Sequence, residues 1–266
     1  MRCSLIICTY NWPAALGFVL NSVALQSEFP DEIIIADDGS GKLTEKVIKN
    51  FSNVFNIPII HSWQEDIGCR IPHSRNRAIA KSTCDYIIMI DGDTVLHKHF
   101  IKDHKSFAKE GVYIQGSRVL LQDGYTKSLF SKNLFQKPSF FSSDAKNKLN
   151  MIRFPFISVF FGFFKNQDIA RIRGCNFSMF RRDIFKVNGF NEEITSWGRE
   201  DSEFVQRLFN SGILKRQLKF SAVQYHLFHN ERVVDSKKSA ATNNIFLKNA
   251  KNNKLVWCDI GLNRYF

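Results

Sequence analysis

YIIMIDGDTVL, residues 86–96, joins an apolar run to two carboxylates one residue apart. A short apolar run bounded by turn formers suits a strand buried on both faces. Residues i and i+2 of an extended chain point the same way, so Asp91 and Asp93 are expected to face one divalent ion bridging two phosphates. A lone D-x-D is also what a solvated turn after a buried strand looks like, so its surroundings decide.

Upstream, Ser4 to Cys8, Glu32 to Ala36 and Ile57 to His61 are similar β-branched runs. Between them Pro13 to Leu25, Lys42 to Phe51 and Pro72 to Lys81 carry apolar residues at helical spacing, with Asn11 a candidate cap of the first. Alternation of strand and helix predicts an α/β fold with a mostly parallel central sheet covered on both faces. Ligands of such sheets collect beyond the carboxyl ends of the strands. There the sequence is acidic: Asp37-Asp38-Gly39-Ser40, Glu65-Asp66-Ile67-Gly68 and Asp91-Gly92-Asp93. Arg75 and Arg77 precede the last strand on a helix, and guanidinium forks suit phosphate or base recognition. An exposed helix face paired with acids would use the same arginines.

A second constellation, RGCNFSMFRRDIFKVNGFNEEITSWGREDSEFVQRLF, spans residues 173–209. Ile172 to Phe180 reads as a strand and Glu200 to Asn210 as a helix. Trp197-Gly198 offers a flat apolar surface for the C–H face of a sugar, while Glu200 and Asp201 stand where a helix N-terminus favours ionised carboxylates. A core tryptophan beside a capping acid is the plain alternative. Lys219 to Tyr225 reads as a further strand, and QYHLFHNER then brings His226 and His229 to its end, His226 being preferred as a metal ligand.

A chain of 266 residues, 44% hydrophobic, suits one α/β catalytic domain with insertions. The formal charge of +12 favours polyanionic partners. Residues 1–100 hold 9 Lys/Arg against 11 Asp/Glu, and the remainder 28 against 14, so the basic surface belongs to the C-terminal part. Six cysteines without a C-x-x-C pair predict reduced thiols in a cytoplasmic protein, with no disulfide and no zinc. The start MRCSLIICTYN is too short an apolar run for a signal peptide and reads as the first strand. The run from Phe154 to Phe164 contains Pro155 and is about half the ~20 residues that a spanning helix needs.

Lys127 to Arg182 holds 12 Phe and 11 Lys/Arg with two acids. Such a segment is either a core extension with a solvated basic face or a peripheral contact with the inner face of an anionic membrane. The expected organisation is a nucleotide-sugar half (1–123), this Phe/Lys-rich insertion (124–171), an acceptor and catalytic half (172–231) and a C-terminal helical tail (232–266).

In this order, CSLIICTYN, IIIADDGS, EDIGCRIPHSRNRAIAKS, YIIMIDGD, RGCNFSMF and NGFNEEITSWGREDSEF resemble family 2 glycosyltransferases of the GT-A, Rossmann-like fold. WGRED is similar to the W-G-x-E-D element of bacterial chondroitin polymerase and β-1,4-galactosyltransferases, with Arg199 at the variable position. The resemblance covers Met1 to Asp123 and Ile172 to Glu231. It implies inverting transfer of a hexose or N-acetylhexosamine from a UDP-sugar donor to a glycan or glycolipid acceptor, as in bacterial surface polysaccharide or lipopolysaccharide synthesis. It places Thr9 and Asp37 along the nucleotide, Asp37 and Asp66 near the uracil, with Asp38 beside them, and Arg75 near base or phosphates. Asp91 would face ribose and metal; Asp93 and His226, or His229, would hold Mn²⁺ or Mg²⁺. Asp201 would be the base, with Glu200 and Trp197 near the transferred sugar and acceptor. A nucleic-acid-binding module would leave the strand-end acids facing phosphate without purpose. An inactive sugar-binding protein would lack a base or metal residue, and a nucleotidyltransferase would be supported by a Gly-rich, Lys-containing phosphate loop that is not found.

Overall fold

The computed structural model describes residues 1–162, 165–167, 169, 172–230 and 233–266. The chain opens with β1 (Cys3–Thr9), α1 (Pro13–Ala24), β2 (Glu32–Asp37), α2 (Lys42–Ser52), β3 (Ile59–Trp63), α3 (Ile71–Lys81) and β4 (Tyr86–Asp91). It continues through β5 (Thr94–Leu96), α4 (Phe100–Phe107), β6 (Val112–Gln115), β7 (Val119–Leu121), α5 (Asp123–Lys132), β8 (Ala145–Lys146), α6 (Pro155–Gly162) and β9 (Lys165–Asn166). Then follow β10 (Asn176–Phe180), α7 (Arg181–Lys186), α8 (Glu200–Asn210), β11 (Leu214–Gln217), β12 (Gln224–His226) and α9 (Val233–Asn252).

The main sheet has the order β3-β2-β1-β4-β10-β6-β11-β9, and a smaller one runs β5-β12-β7-β8. Strands β1 to β4 are mutually parallel. Antiparallel β10 joins β4 to β6, which restores the direction of β4 in β6 and in β11 beside it. The chain winds outward from β1 to β3 and returns to β4 on the other side of β1. The crevice therefore opens where this order reverses, between the ends of β1 and β4.

Period-2 alternation explains why these strands read as unbroken apolar runs. Leu5, Ile7, Ile33, Ile35, Ile88 and Ile90 face α1, whereas Ile6, Ile34, Ile87 and Met89 face α3 and α8. All six cysteines carry free thiols.

Several local expectations shift. The third strand begins at Ile59 rather than Ile57. Asn11 does not cap α1; it adopts a positive φ and its side chain accepts from Gly41 instead. Extended pairing of the 172–180 segment is confined to Asn176–Phe180. Lys219 to Tyr225 is not a strand, because Phe220 and Ala222 take positive φ and turn the chain before Gln224. Of the expected helical tail, Val233–Asn252 is a helix that packs along α8, and the residues after it run without a further α-helix. Of the Phe/Lys-rich insertion, Phe163, Phe164, Asp168, Ala170 and Arg171 lie outside the described residues.

Candidate active site

The middle residue of the D-x-D must be glycine. Its amide donates to the Cys8 carbonyl at 2.6 Å, and a Cβ on Gly92 would lie 2.8 Å from that oxygen and 3.1 Å from the Thr9 hydroxyl. Strand β4 ends at Asp91, and Gly92 and Asp93 form a turn rather than a continuation of the strand. The extended-chain geometry expected of the pair is thereby corrected to a turn, with the charge of Asp93 still acting on Asp91. Strand pairing sets Thr94 opposite His226, and the Leu227 amide donates to the Asp93 carbonyl at 2.9 Å. The Asp93 carboxylate consequently lies 3.6 Å from His226 Nε2 and 3.3 Å from His229 Nε2.

Donor atoms of Asp93, His226 and His229 all lie within 4.8 Å of one another. Asp93 Oδ1 is buried without a hydrogen-bond partner, an orphaned acceptor that a cation would satisfy. Burial pushes this carboxyl up, but His226, His229 and Arg118 outweigh it and hold it below its usual range. Burial depresses His226 toward the neutral, ligating form, whereas the hydrogen bond to Asp93 raises His229. Both expected histidines thus reach one group, while Asp91 lies outside it. The Asp91 carboxyl sits 3.9 Å from Arg75. Burial, reinforced by the charge of Asp93 and opposed by Arg75, pushes it up to about 7.

Arg75 ties the two halves of the site together. Its Nη1 donates to Asp201 Oδ1 at 2.6 Å, and the Gly174 amide donates to Asp201 Oδ2 at 2.7 Å. A Cβ on Gly174 would meet both the guanidinium and the carboxylate, so the backbone must approach bare. The guanidinium stacks 5.0 Å from the centroid of Phe190. Arg77 does not join it: two residues along a helix is about a 200° rotation, and Arg77 acts on Tyr265 instead.

Glu200 opens α8, buried, with Oε2 lacking a partner. Burial first, then the charge of Asp201, pushes its carboxyl up to about 7, against the pull of Arg75. Because the folded carboxyl keeps its proton where the unfolded one has lost it, stability declines as pH rises from about 4.5 to 7, and the penalty is complete above that window. Glu200→Gln is expected to raise stability at pH 8 by up to roughly 3 kcal/mol and to leave it nearly unchanged at pH 4. Thermal melts of both proteins across that range test this. A Tm difference independent of pH would refute it.

Trp197 projects from the preceding loop, 54% exposed. The loop is held from behind by Asn243 of α9, whose amide donates to the carbonyls of Ser196 at 3.1 Å and Gly198 at 2.8 Å. Gly198 takes φ +100°, and a Cβ there would press on Ala240 of the same helix. Asn243 is itself buried. Asn243→Ala, which strands those carbonyls, is expected to cost about 1–3 kcal/mol, read as a lower urea midpoint. An unchanged midpoint would remove the brace.

At the far side, Asp37 accepts from the Ser40 amide and bonds His61 Nε2, each at 2.8 Å. Asp38 accepts from Gln64 at 2.6 Å and from the Arg70 amide at 2.9 Å, so both its oxygens hold the loop wall. Asp66 is exposed and accepts from the Tyr10 hydroxyl at 2.9 Å. Gly39, at φ +100°, presses against the Asp66 backbone, which seats the two loops together. Thr9, at the end of β1, is buried behind Gly92.

Arg118 was not anticipated. Its charge acts on Asp91, Asp93 and His226 from the loop after β6. The strand-end rule, applied to VYIQ at 112–115, points to it.

Residues 4–189 match the family described as Glycosyl transferase family 2, and residues 156–231 the one described as N-terminal domain of galactosyltransferase. Chondroitin synthase of Escherichia coli is 25% identical over 237 residues, 84% of this chain and 34% of that protein. Validoxylamine A glucosyltransferase of Streptomyces hygroscopicus subsp. limoneus is 26% identical over 226 residues, 79% of this chain and 48% of that protein. The chain thus spans between a third and a half of the length of these relatives. Among solved structures, Staphylococcus aureus TarS 1-349 in complex with UDP-GlcNAc superposes with a TM-score of 0.67 at 16% identity, over 100% of this chain and 69% of that one. A mannosyltransferase from Pyrobaculum calidifontis in complex with GDP-Man and Mn²⁺ gives 0.61 at 15% identity, over 95% and 64%. These likenesses establish the GT-A fold.

Proposed function

This chain belongs to glycosyl transferase family 2, and from that premise we propose that it is an inverting, metal-dependent transferase. It moves a hexose or N-acetylhexosamine from a UDP-sugar to a hydroxyl of a glycan or glycolipid in the assembly of a bacterial surface polysaccharide or lipopolysaccharide. Relatives that are named synthases and transferases of such polymers support the substrate class. The observation that carries the reading is the Asp93–His226–His229 group together with the buried Arg75, which pairs with Asp201 at 2.6 Å and lies 3.9 Å from Asp91, a carboxyl that feels the charge of Asp93.

Asp93, His226 and His229 would hold the divalent ion. Two imidazoles and a carboxylate suit Mn²⁺ better than Mg²⁺, which prefers oxygen ligands and retained water. When bound, the ion acts as a Lewis acid that stabilises charge on the leaving diphosphate. Arg118 adds positive charge on the same side. Asp37, Asp38 and Asp66 shape the wall that receives the nucleoside, and Trp197 offers its face to the sugar or acceptor.

Asp201 takes the acceptor proton. Each of its oxygens accepts one protein hydrogen bond, which leaves a lone pair on each for the incoming hydroxyl. The acceptor oxygen forms a bond to the anomeric carbon as the bond from that carbon to the diphosphate breaks. The electron pair departs with UDP and the proton goes to Asp201.

Purified protein incubated with a panel of UDP-sugars and glycan acceptors, with and without Mn²⁺, tests this by UDP release. Release with at least one sugar, abolished by EDTA and restored by Mn²⁺, is expected. Full release in EDTA would overturn the metal-dependent reading.

A further inference from the structure

The described side chains of helix α6 are inside out. Among residues 155–159, Ser158 is the buried one, with no exposed surface, whereas Phe156 is 80% exposed and Ile157 and Val159 also face outward. The serine hydroxyl bonds the Ser221 hydroxyl at 2.7 Å and the Lys219 carbonyl, and the Phe154 amide donates to the Phe220 carbonyl at 2.8 Å. A polar anchor therefore holds an apolar helix against the body of the protein. Leu149, Ile152 and Phe154, just ahead of it, are exposed as well. Apolar residues concentrated in this way mark a surface that something other than water covers.

The position is informative. Lys219 to Ser221 follow β11, which is parallel to β6 and hence to β4. Their loop leaves the same edge of the sheet as Asp91, and α6 is fastened to that loop. The apolar helix thus flanks the edge onto which the candidate active site opens.

The charge beside it is positive. Lys98, Lys102 and Lys137 are exposed and gather with Arg153 around His97 and His99. Arg153, which precedes Phe154, is paired with Asp103 at 2.6 Å; the three lysines are left to face outward. Burial and this positive surrounding depress both imidazoles. A second copy of the chain would bring the same basic rim against itself. An anionic surface complements it, and a helix with outward apolar residues and basic neighbours lies in a bilayer interface.

We infer that α6 and the Lys98/Lys102/Lys137 rim form a dock for an anionic lipid bilayer, holding the active-site edge toward lipid-linked acceptors. Apolar side chains of α6 enter the headgroup boundary while the lysines meet anionic headgroups. The orientation toward acceptors rests on the proposed transferase reading; the docking does not.

Co-sedimentation of the full chain with phosphatidylcholine vesicles, with and without phosphatidylglycerol, tests the dock independently of transfer. Binding to the anionic vesicles at low salt, reversed by 0.5 M salt, is expected. Phe156→Ser with Val159→Ser should weaken it at least about tenfold, and Lys98→Ser and Lys102→Ser by about five-fold each. These side chains are exposed, and circular dichroism with a UDP-binding measurement confirms that each variant is folded. Absence of binding to anionic vesicles at low salt overturns the inference. So does binding that the α6 variant leaves intact, or sedimentation equilibrium showing self-association that this variant abolishes in protein that ignores vesicles.

Discussion

Asp93→Asn is expected to reduce sugar transfer by about 10³-fold or more, since Lewis-acid stabilisation of a leaving diphosphate is worth several kcal/mol, and to weaken Mn²⁺-dependent UDP binding. The amide keeps the volume but removes the charge that both histidines face, at 3.6 and 3.3 Å. Burial alone would disfavour an ionised Asp93; it is held in that form by His226, His229 and Arg118, the arrangement that a cation would inherit. Calorimetry of UDP binding with and without Mn²⁺, beside turnover of the same preparation, reads both effects. Transfer at the wild-type rate in a natively folded variant would sink the assignment of Asp93 to the metal.

Asp201→Asn is expected to leave UDP-sugar affinity within a few fold and to lower turnover by ~10²- to 10⁴-fold, the usual worth of a positioned general base. Asparagine still accepts from the Gly174 amide but no longer balances Arg75, whose charge is then shared among Asp91 and the incoming phosphates. Donor affinity is accordingly preserved or tightened while the proton has nowhere to go. Separate measurement of the donor dissociation constant and of kcat distinguishes the two. A near-normal kcat would move the base to Glu200, which stands next in the chain and is pushed up to about 7.

The strands were legible because each is covered on both faces, so burial writes itself into consecutive residues of Leu5 to Ile7, Ile33 to Ile35 and Ile87 to Ile90. Helix α8 was legible from its acids and its apolar spacing. The regions that misled obey local backbone rules that periodicity does not register. Positive φ at Phe220 and Ala222 interrupts what reads as a strand, and the turn at Gly92-Asp93 ends the alternation that was expected to align two carboxylates.

Composition and local pattern, then, were enough for the layered α/β architecture and for the acids at its carboxyl edge, because both follow from alternation within single strands and from the chemistry of residues a few positions apart. Which charge meets which was decided only by tertiary structure. Arg75 reaches Asp201; Asp93 meets His226 and His229; Arg118 enters the cluster from a loop with no distinguishing motif. Ser158 faces inward and Phe156 outward, the reverse of what hydrophobicity alone assigns. The physical reason is that contact over long sequence separation is set by strand order, by bare glycine backbones at positions 92 and 174 that permit close approach, and by hydrogen bonds between loops. None of these leaves a period in the local sequence.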